Sequence, residues 1–281
     1  MGLRSLLTAA AQTLPPEIRL PVRGLVRDLA SLPGRVADPR RWSDPWQFIH
    51  NDGSTKDFRA SGDAIAAELV QYGGLKPSDR VLDIGCGNGR ITRPLRDFLD
   101  ADASYLGFDL SKVAVAGCQR RFGGDPRFSF HHADLANSEY NRGGSQAQEA
   151  FVFPTDAHTV DFAFAISVLT HMEIEAIGHY AQELGRVLAP GGRAFLTLFL
   201  LDQARRDEVE AGHAGLPFKP WNDVSMVVDA HAQESAIAHE EGIVRDLFTR
   251  AGLVVRAVHR GTWAPVSQTE NFQDILVVEK P

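Results

Sequence analysis

Cysteine, long apolar runs and excess positive charge are all scarce in this chain. The 281 residues include only two cysteines, Cys86 and Cys118, so no disulfide framework is indicated and a reducing compartment is favoured. No apolar run reaches the length of a membrane span, and the N-terminus lacks the continuous apolar core of a signal peptide. The formal net charge of -7 gives no general attraction to nucleic acid. We therefore expect a globular, cytoplasmic protein.

Two nucleotide-binding patterns are missing as well, although a glycine-rich turn is present. Residues 81–89 read Val-Leu-Asp-Ile-Gly-Cys-Gly-Asn-Gly, an apolar run that enters a glycine-spaced loop. Ile91, Leu95 and Phe98 then have helical spacing, so the stretch predicts a buried strand, a tight loop and a helix start. Arg90 occupies the third glycine position of the dinucleotide pattern, and no Gly-Lys-Ser/Thr of a phosphate loop follows. The glycines would let a ligand approach the backbone closely.

Strand and helix patterns alternate along the remainder of the chain. Predicted strands begin at Val81 and continue at 105–109, 128–132, 160–166, 193–200, 254–259 and 272–279. Predicted helices cover 64–72, 112–122, 174–188 and 241–251, with a further one beginning at Arg90. Such units predict a parallel sheet with helices on both faces. Residues 136–156, rich in Gly, Ser, Asn and Gln, are expected to form a surface insertion, and residues 202–240 a lid or insertion.

Residues 1–60 form a separate unit, which we predict to be an N-terminal helical extension or cap on a domain spanning 61–281. Short helices are expected at 2–13 and 21–32. Residues 1–40 are modestly basic, so one interpretation is an amphipathic segment that contacts a membrane surface or a partner. An extension folded over the main domain is favoured, because prolines interrupt any long amphipathic helix here.

Several motifs together resemble the class I S-adenosylmethionine (SAM)-dependent methyltransferases. Asp-x-Gly-x-Gly-x-Gly at 83–89 is similar to motif I of that family. Four more stretches match in order. Residues 105–109 and 128–134 are each a strand that ends in an acid. Residues 160–172 are a strand followed by Thr-His-Met, and residues 188–192 are a Leu-Ala-Pro-Gly-Gly turn. Residues 44–51 resemble a segment found upstream of motif I in a bacterial small-molecule group. The resemblance implies a Rossmann-like α/β fold with a seven-stranded, mostly parallel sheet of order 3-2-1-4-5-7-6, the last strand antiparallel.

The same resemblance implies SAM as the cofactor and S-adenosylhomocysteine (SAH) as its product. Asp83 would order the glycine loop and help hold the amino group of SAM, and Asp109 would accept hydrogen bonds from the ribose. Ser167 would meet the methionine end through its backbone. The full set of implied cofactor-binding residues is Asp83, Gly85, Cys86, Gly87, Asp109, Leu110, Asp134, Leu135 and Ser167, with Asp134 and Leu135 at the adenine edge.

A base is the remaining chemical requirement, because an oxygen acceptor must lose a proton during methyl transfer. His171 lies just past the fourth strand, and imidazole titrates near neutral pH, so His171 is the first candidate. A structural or substrate-orienting role for His171 stays open, and His50 is the second candidate base. The remaining histidines lack metal-ligand spacing, so no metal site is predicted.

The function predicted from these residues is methyl transfer to an O or N acceptor on a small molecule. The N-terminal cover, the lid-like insertion, the absence of a basic bias and the lack of an Asn/Asp-Pro-Pro-Tyr signature favour a small acceptor. Three alternatives remain open: a macromolecule-modifying methyltransferase, a non-catalytic SAM-binding partner protein, and a SAM-binding enzyme that does not methylate. The acceptor itself and the oligomeric state are not indicated by the sequence.

Overall fold

The computed structural model describes residues 16–46, 57–137, 141, 143–230, 233–265 and 267–281. The helices are α1 (Pro16–Ala37), α2 (Phe58–Gln71), α3 (Thr92–Phe98), α4 (Lys112–Phe122), α5 (Ile174–Val187), α6 (Gln203–Glu210) and α7 (Glu241–Arg250). The strands are β1 (Arg80–Ile84), β2 (Ser104–Asp109), β3 (Phe128–His132), β4 (Val160–Ala165), β5 (Leu188–Leu201), β6 (Lys219–Pro220), β7 (Ser225–Val227), β8 (Ile237–Glu240), β9 (Val254–His259) and β10 (Asp274–Glu279). Short 3₁₀ helices lie at Pro39–Ser43, Gln148–Ala150, Leu169–His171 and Gln233–Ser235.

A mostly parallel sheet forms the centre of the fold. Strands β3, β2, β1, β4 and β5 are neighbours in that order and run parallel. Strand β10 pairs antiparallel with β5, and β9 pairs antiparallel with β10. If the insertion strands are set aside, this arrangement is the predicted order 3-2-1-4-5-7-6, with the last strand antiparallel. The predicted Rossmann-like α/β class is confirmed.

The sheet has ten strands within the described ranges, so the predicted count of seven was wrong. The three additional strands, β6 to β8, belong to the 202–240 insertion. Strand β4 pairs with β5 only as far as Leu196, whereas β5 continues to Leu201. Residues Phe199 to Leu201 pair in parallel with β8, which in turn pairs with β7. The insertion thus supplies partners for backbone groups that β4 leaves behind, a requirement for buried strands.

Apolar side chains cover both faces of the sheet. In β4, Phe162 and Phe164 join one buried cluster, whereas Ala163 and Ala165 join the other. This period-two alternation is what a strand buried on both faces produces. A third cluster packs Phe218 and Met226 of the insertion against Phe199 of β5 and the fully buried Trp263. The insertion therefore shares its apolar core with β5 and with the segment that precedes β10.

The end of the 136–156 stretch differs from the surface insertion that we expected. Phe151 and Phe153 are buried, and their rings lie 5.2 Å from that of Phe108. Phe153 also packs edge-on against Tyr180 of α5 at 5.0 Å. Burial of these aromatic rings outweighs the polar composition of the rest of the stretch.

Helix α1 covers the second helix predicted in the N-terminal extension, at 21–32, and is longer than that prediction at both ends. Helix α1 has 22 residues and continues through Pro21 and Pro33, each of which removes one backbone hydrogen bond. The first predicted helix, at 2–13, lies outside the described residues. Asp44 and Arg59 form a two-pronged ion pair, at 2.7 and 2.8 Å, that ties the extension to α2. No described helix has the length and apolarity needed to cross a bilayer.

Candidate functional site

The glycine loop that follows β1 has the backbone conformation that its sequence predicts. Gly85, Gly87 and Gly89 all have positive φ, at 78°, 51° and 75°. A Cβ at Gly87 would meet nothing within 4 Å, so this residue borders open space. A Cβ at Gly85 would instead overlap the side chain of Val168, which follows β4. The loop therefore fits between β1 and β4 and leaves one glycine accessible to a ligand.

Asp109, at the carboxyl end of β2, is fixed against this loop. Its Oδ2 accepts the backbone N–H of Gly87 at 2.8 Å, and its Oδ1 accepts that of Ser111 at 2.7 Å. Burial raises the pKa of the Asp109 carboxyl, while these two hydrogen bonds oppose the rise. Its neighbour Leu110 lies partly buried, and the Leu110 carbonyl accepts a hydrogen bond from His132 Nε2 at 3.2 Å.

Asp83 points into the protein. It is 2% exposed, and its carboxylate accepts a hydrogen bond from the Tyr105 hydroxyl, which is 2.8 Å from Thr92 Oγ1. Burial raises the pKa of the Asp83 carboxyl to about 7. These contacts agree with the predicted role of Asp83, which is to order the glycine loop from the interior side of the protein. The predicted contact with the amino group of SAM stays a prediction.

The adenine-edge candidates lie beyond β3. The Asp134 side chain is exposed and accepts hydrogen bonds from Ser145 Oγ at 2.7 Å and Asn141 Nδ2 at 3.2 Å. Leu135 is buried and forms an isolated bridge with Gln146. The carboxyl ends of β2 and β3 thus present Asp109 and Asp134 from neighbouring strands, the edge at which open α/β sheets bind ligands.

Ser167 is exposed and has a left-handed backbone, with φ of 57°. Its N–H donates to Thr197 Oγ1 at 2.8 Å, and its hydroxyl donates to Gln273 Oε1 at 3.1 Å. Thr197 lies on β5 and Gln273 just before β10. The sequence reasoning missed both partners, although Thr197 is the only polar residue in the run 194–201.

His171 ends the 3₁₀ helix that follows β4. Its Nδ1 lies 2.6 Å from the backbone oxygen of Glu234, in the insertion. A carbonyl only accepts, so Nδ1 carries the proton and the lone pair of the neutral ring is on Nε2. The second candidate base, His50, lies outside the described residues. Among those residues, no cluster of three His, Cys, Asp or Glu side chains could hold a metal.

Cys86, inside the glycine loop, has a buried side chain. Its Sγ lies 3.9 Å from the Gly87 carbonyl oxygen, which Cys118 Sγ approaches to 3.4 Å. Its hydrogen bond with Cys118 and its burial raise the pKa of the Cys86 thiol well above the ordinary value. Such a thiol is a poor nucleophile. Because the side chain is buried, we expect any contact of Cys86 with a cofactor to involve its backbone.

Taken as a whole, the donor and acceptor groups fit SAM. One edge of the sheet carries Gly87, which is accessible and has positive φ, and the fixed carboxylate of Asp109. Asp134, which follows the neighbouring strand β3, lies at the same edge. No lysine lies in the glycine loop, which suits a cofactor without phosphate. Once bound, SAM supplies a methyl group on a positively charged sulfur.

Residues 81–192 match the family model described as "Methyltransferase domain". The eEF1A lysine and N-terminal methyltransferase of Danio rerio is 28% identical over 166 residues, which are 58% of this chain and 22% of the relative. Ribosomal RNA small subunit methyltransferase A of Parasynechococcus marenigrum is 39% identical over 71 residues, 25% of this chain and 23% of the relative. The 27-O-demethylrifamycin SV methyltransferase of Amycolatopsis mediterranei is 32% identical over 130 residues, 45% of this chain and 41% of the relative. The chain thus spans less than half the length of each of these relatives.

Solved structures show the same fold. The PH0226 protein of Pyrococcus horikoshii OT3 superposes with a TM-score of 0.53 at 15% identity, over 82% of this chain and 94% of that chain. An S-adenosylmethionine dependent methyltransferase from Mesorhizobium loti has a TM-score of 0.51 at 15% identity, over 78% and 100% of the two chains. These likenesses show that the chain shares the fold of these structures, and the methyltransferase family model matches residues 81–192 within that fold.

Proposed function

We propose that the protein uses this domain to transfer the methyl group of SAM to an oxygen or nitrogen atom of a small molecule. The observation that carries the proposal is the joint geometry of Gly87 and Asp109. Gly87 offers accessible backbone, and Asp109 presents a carboxylate held by two backbone donors. Because both of its cysteines are free and buried, we also propose that the protein works in a reducing compartment, the cytoplasm.

Each part of the cofactor has a proposed partner. The carboxylate of Asp109 accepts the ribose hydroxyls, and Asp134 with Leu135 borders the adenine. Gly85, Cys86 and Gly87 approach the cofactor through their backbone, and the Ser167 backbone meets its methionine end. These groups orient SAM, and orientation alone accounts for much of the rate of an in-line displacement.

His171 is the proposed base for a hydroxyl acceptor. The Glu234 carbonyl fixes its ring so that Nε2 carries the lone pair, the form that can take a proton. An amine that is already neutral would need no such help, so His171 would then orient the acceptor instead.

The folded insertion supports a small acceptor. It continues the sheet beyond the end of β4, packs against β5 and Trp263 through a shared apolar cluster, and reaches His171 through Glu234. Such a unit narrows access to the carboxyl edge and excludes water from it. The similarity to the 27-O-demethylrifamycin SV methyltransferase of Amycolatopsis mediterranei also supports this acceptor class.

A macromolecular acceptor is the second candidate, because two of the relatives are named for eEF1A and for ribosomal RNA. The net charge of -7 weighs against an RNA acceptor, since phosphate contacts require clustered Lys and Arg. A protein acceptor needs no basic surface, so protein methylation is the stronger form of this alternative.

The test begins with calorimetric titration of the full-length protein with SAM, SAH and NAD. We expect micromolar binding of the first two and none of NAD.

SAH release is then measured with phenols, sugars and amines, with peptides containing lysine, and with RNA. Release with only the peptides or RNA would replace the small-molecule proposal. Binding without release from any acceptor class would favour the non-catalytic SAM-binding protein. Turnover of an acceptor without SAH release would indicate a reaction other than methyl transfer.

A further inference from the structure

Ser167 has an unusual backbone at the point where β4 leaves the sheet. Within the described ranges, it is one of two non-glycine residues with positive φ; the other is His158, whose backbone N–H bonds to Arg186. A left-handed backbone is unfavourable for a residue with a Cβ and persists only where its surroundings hold it. Ser167 is exposed, so packing of its own side chain does not provide that constraint.

The constraint comes from Thr197 on β5. Its hydroxyl accepts the Ser167 N–H at 2.8 Å and donates to the Ala165 carbonyl at 3.4 Å. The last pair between β4 and β5 is Ala165 with Leu196, so Thr197 lies one residue beyond the ladder. Thr197 is fully buried. One hydroxyl thus bonds to two backbone groups at the end of β4, the Ala165 carbonyl and the Ser167 N–H.

The conformation of this turn shapes the cofactor side of the site. The next residue, Val168, packs so closely on the glycine loop that a Cβ at Gly85 would overlap its Cγ2. The turn at Ser167 therefore determines where Val168 borders the loop and where the Ser167 carbonyl points.

We propose that Thr197 is a positioning residue that holds Ser167 in the left-handed conformation required for cofactor binding. The inference rests on the proposed function, because it assumes that SAM and SAH bind beside this turn. Thr197 acts through the Ser167 backbone and does not itself touch the cofactor.

The experiment compares SAH affinities by calorimetry in full-length variants. Thr197→Val keeps the shape of the side chain and removes the hydroxyl. We expect the Kd for SAH to rise about tenfold, because the Ser167 backbone loses the one hydrogen bond that holds it in the binding conformation. Thr197→Ser keeps the hydroxyl and should bind within about twofold of wild type. Ser167→Gly in the Thr197→Val background should restore most of the affinity, because glycine adopts positive φ without a steric penalty.

Thr170→Val is the matched control. Thr170 is also buried, and its Oγ1 has no hydrogen-bond partner among the described residues, so this variant should bind SAH like wild type. A purely structural role for Thr197 would lower the melting temperature, leave the Kd unchanged and show no rescue by Ser167→Gly. If Thr197→Val does not fold, Ser167→Val and Ser167→Gly test the same requirement at an exposed position, and we expect weaker SAH binding by the valine variant.

The outcomes separate this inference from the proposed function. Wild-type protein that binds no SAH would overturn both. Wild-type binding together with an unchanged Kd in Thr197→Val, or equal affinities for Ser167→Val and Ser167→Gly, would overturn the role of Thr197 alone.

Discussion

Gly87 and Asp109 are joined by a hydrogen bond of 2.8 Å, from the Gly87 N–H to Asp109 Oδ2, across the carboxyl ends of β1 and β2. The other oxygen of Asp109 accepts the N–H of Ser111. A carboxylate can accept about four hydrogen bonds, so both oxygens keep capacity for ribose hydroxyls. One side chain therefore shapes the glycine loop and offers acceptors to a ligand.

Asp109→Ala should raise the Kd for SAH about 10- to 100-fold, because the ribose hydroxyls lose a charged acceptor worth about 1.5–3 kcal/mol. Calorimetry on the folded variant measures the effect. Asp97→Ala is the control, since the Asp97 side chain is 76% exposed on α3. A folded Asp109→Ala protein with wild-type affinity would remove Asp109 from the proposed site.

Asp83→Asn should stabilise the protein at alkaline pH. The folded pKa of about 7 lies above the ordinary value, so the folded state binds more protons than the unfolded state between about pH 4 and 7. The contribution of Asp83 to the free energy of unfolding therefore falls as pH rises through this interval. We expect Asp83→Asn to be more stable than wild type by about 1–3 kcal/mol at pH 8 and by much less at pH 5. Denaturant unfolding at both pH values checks this, and a pH-independent difference would contradict it.

His171→Asn should keep the SAH affinity and slow turnover. The asparagine amide can still donate to the Glu234 carbonyl, but it provides no base, so we expect a loss of about 10²- to 10⁴-fold with a hydroxyl acceptor. His213→Asn is the control, because His213 is 64% exposed at the end of α6. Parallel losses of SAH affinity, stability and activity would point to a structural role for His171.

His239 should make the fold sensitive to acid. The ring is buried between Ser225 Oγ, at 2.8 Å, and the Met172 carbonyl, at 3.0 Å, and burial lowers its pKa. Below the unfolded pKa of about 6.5 the unfolded state binds the extra proton, so stability is lost as pH falls, by up to about 1.4 kcal/mol per pH unit. His239→Gln keeps a donor for Met172 and should flatten the slope of unfolding free energy between pH 7 and 5. An unchanged slope would mean that other groups dominate.

We expect the insertion to keep one position in the fold, and not to open and close over the site as a lid would. Ile237 and Ala238 of β8 are fully buried, and Ala238 pairs with Phe199 of β5. We expect the amide hydrogens of β8 to exchange slowly both with and without SAH. Fast exchange that becomes slow only with SAH would support the predicted lid.

Periodicity was enough to predict the central strands, whereas their order was predicted from the family resemblance. The glycine loop, the acids at the strand ends and the helix at 112–122 are local patterns, and each specifies a local conformation. The strands of the insertion were not predictable in this way. Strand β8 is stabilised by the end of β5 that extends past β4, a partner distant in sequence, and its four residues carry little periodicity.

The candidate site was predictable at positions such as Gly87 and Asp109, where a characteristic residue type stands in a predicted turn or at a predicted strand end. The contacts that support these residues were not predictable from the sequence. Thr197 and Gln273 meet Ser167 from positions 30 and 106 residues away along the chain, which no spacing rule relates. The buried Asp83 accepts a hydrogen bond from Tyr105, which the β1–β2 register places opposite Val81, two residues before Asp83.

The insertion begins after Leu201, the last residue of β5, and ends at Glu240, the last residue of β8, and these two residues are paired neighbours on parallel strands. Adjacent strands lie about 4.8 Å apart, so the segment departs from and returns to almost the same point. A bridge of about two residues could span that gap. The insertion can therefore be regarded as an exchangeable cassette, whose length and sequence can change in evolution or by engineering while β1 to β4 keep their register. Acceptor preference and cofactor binding would then diversify independently.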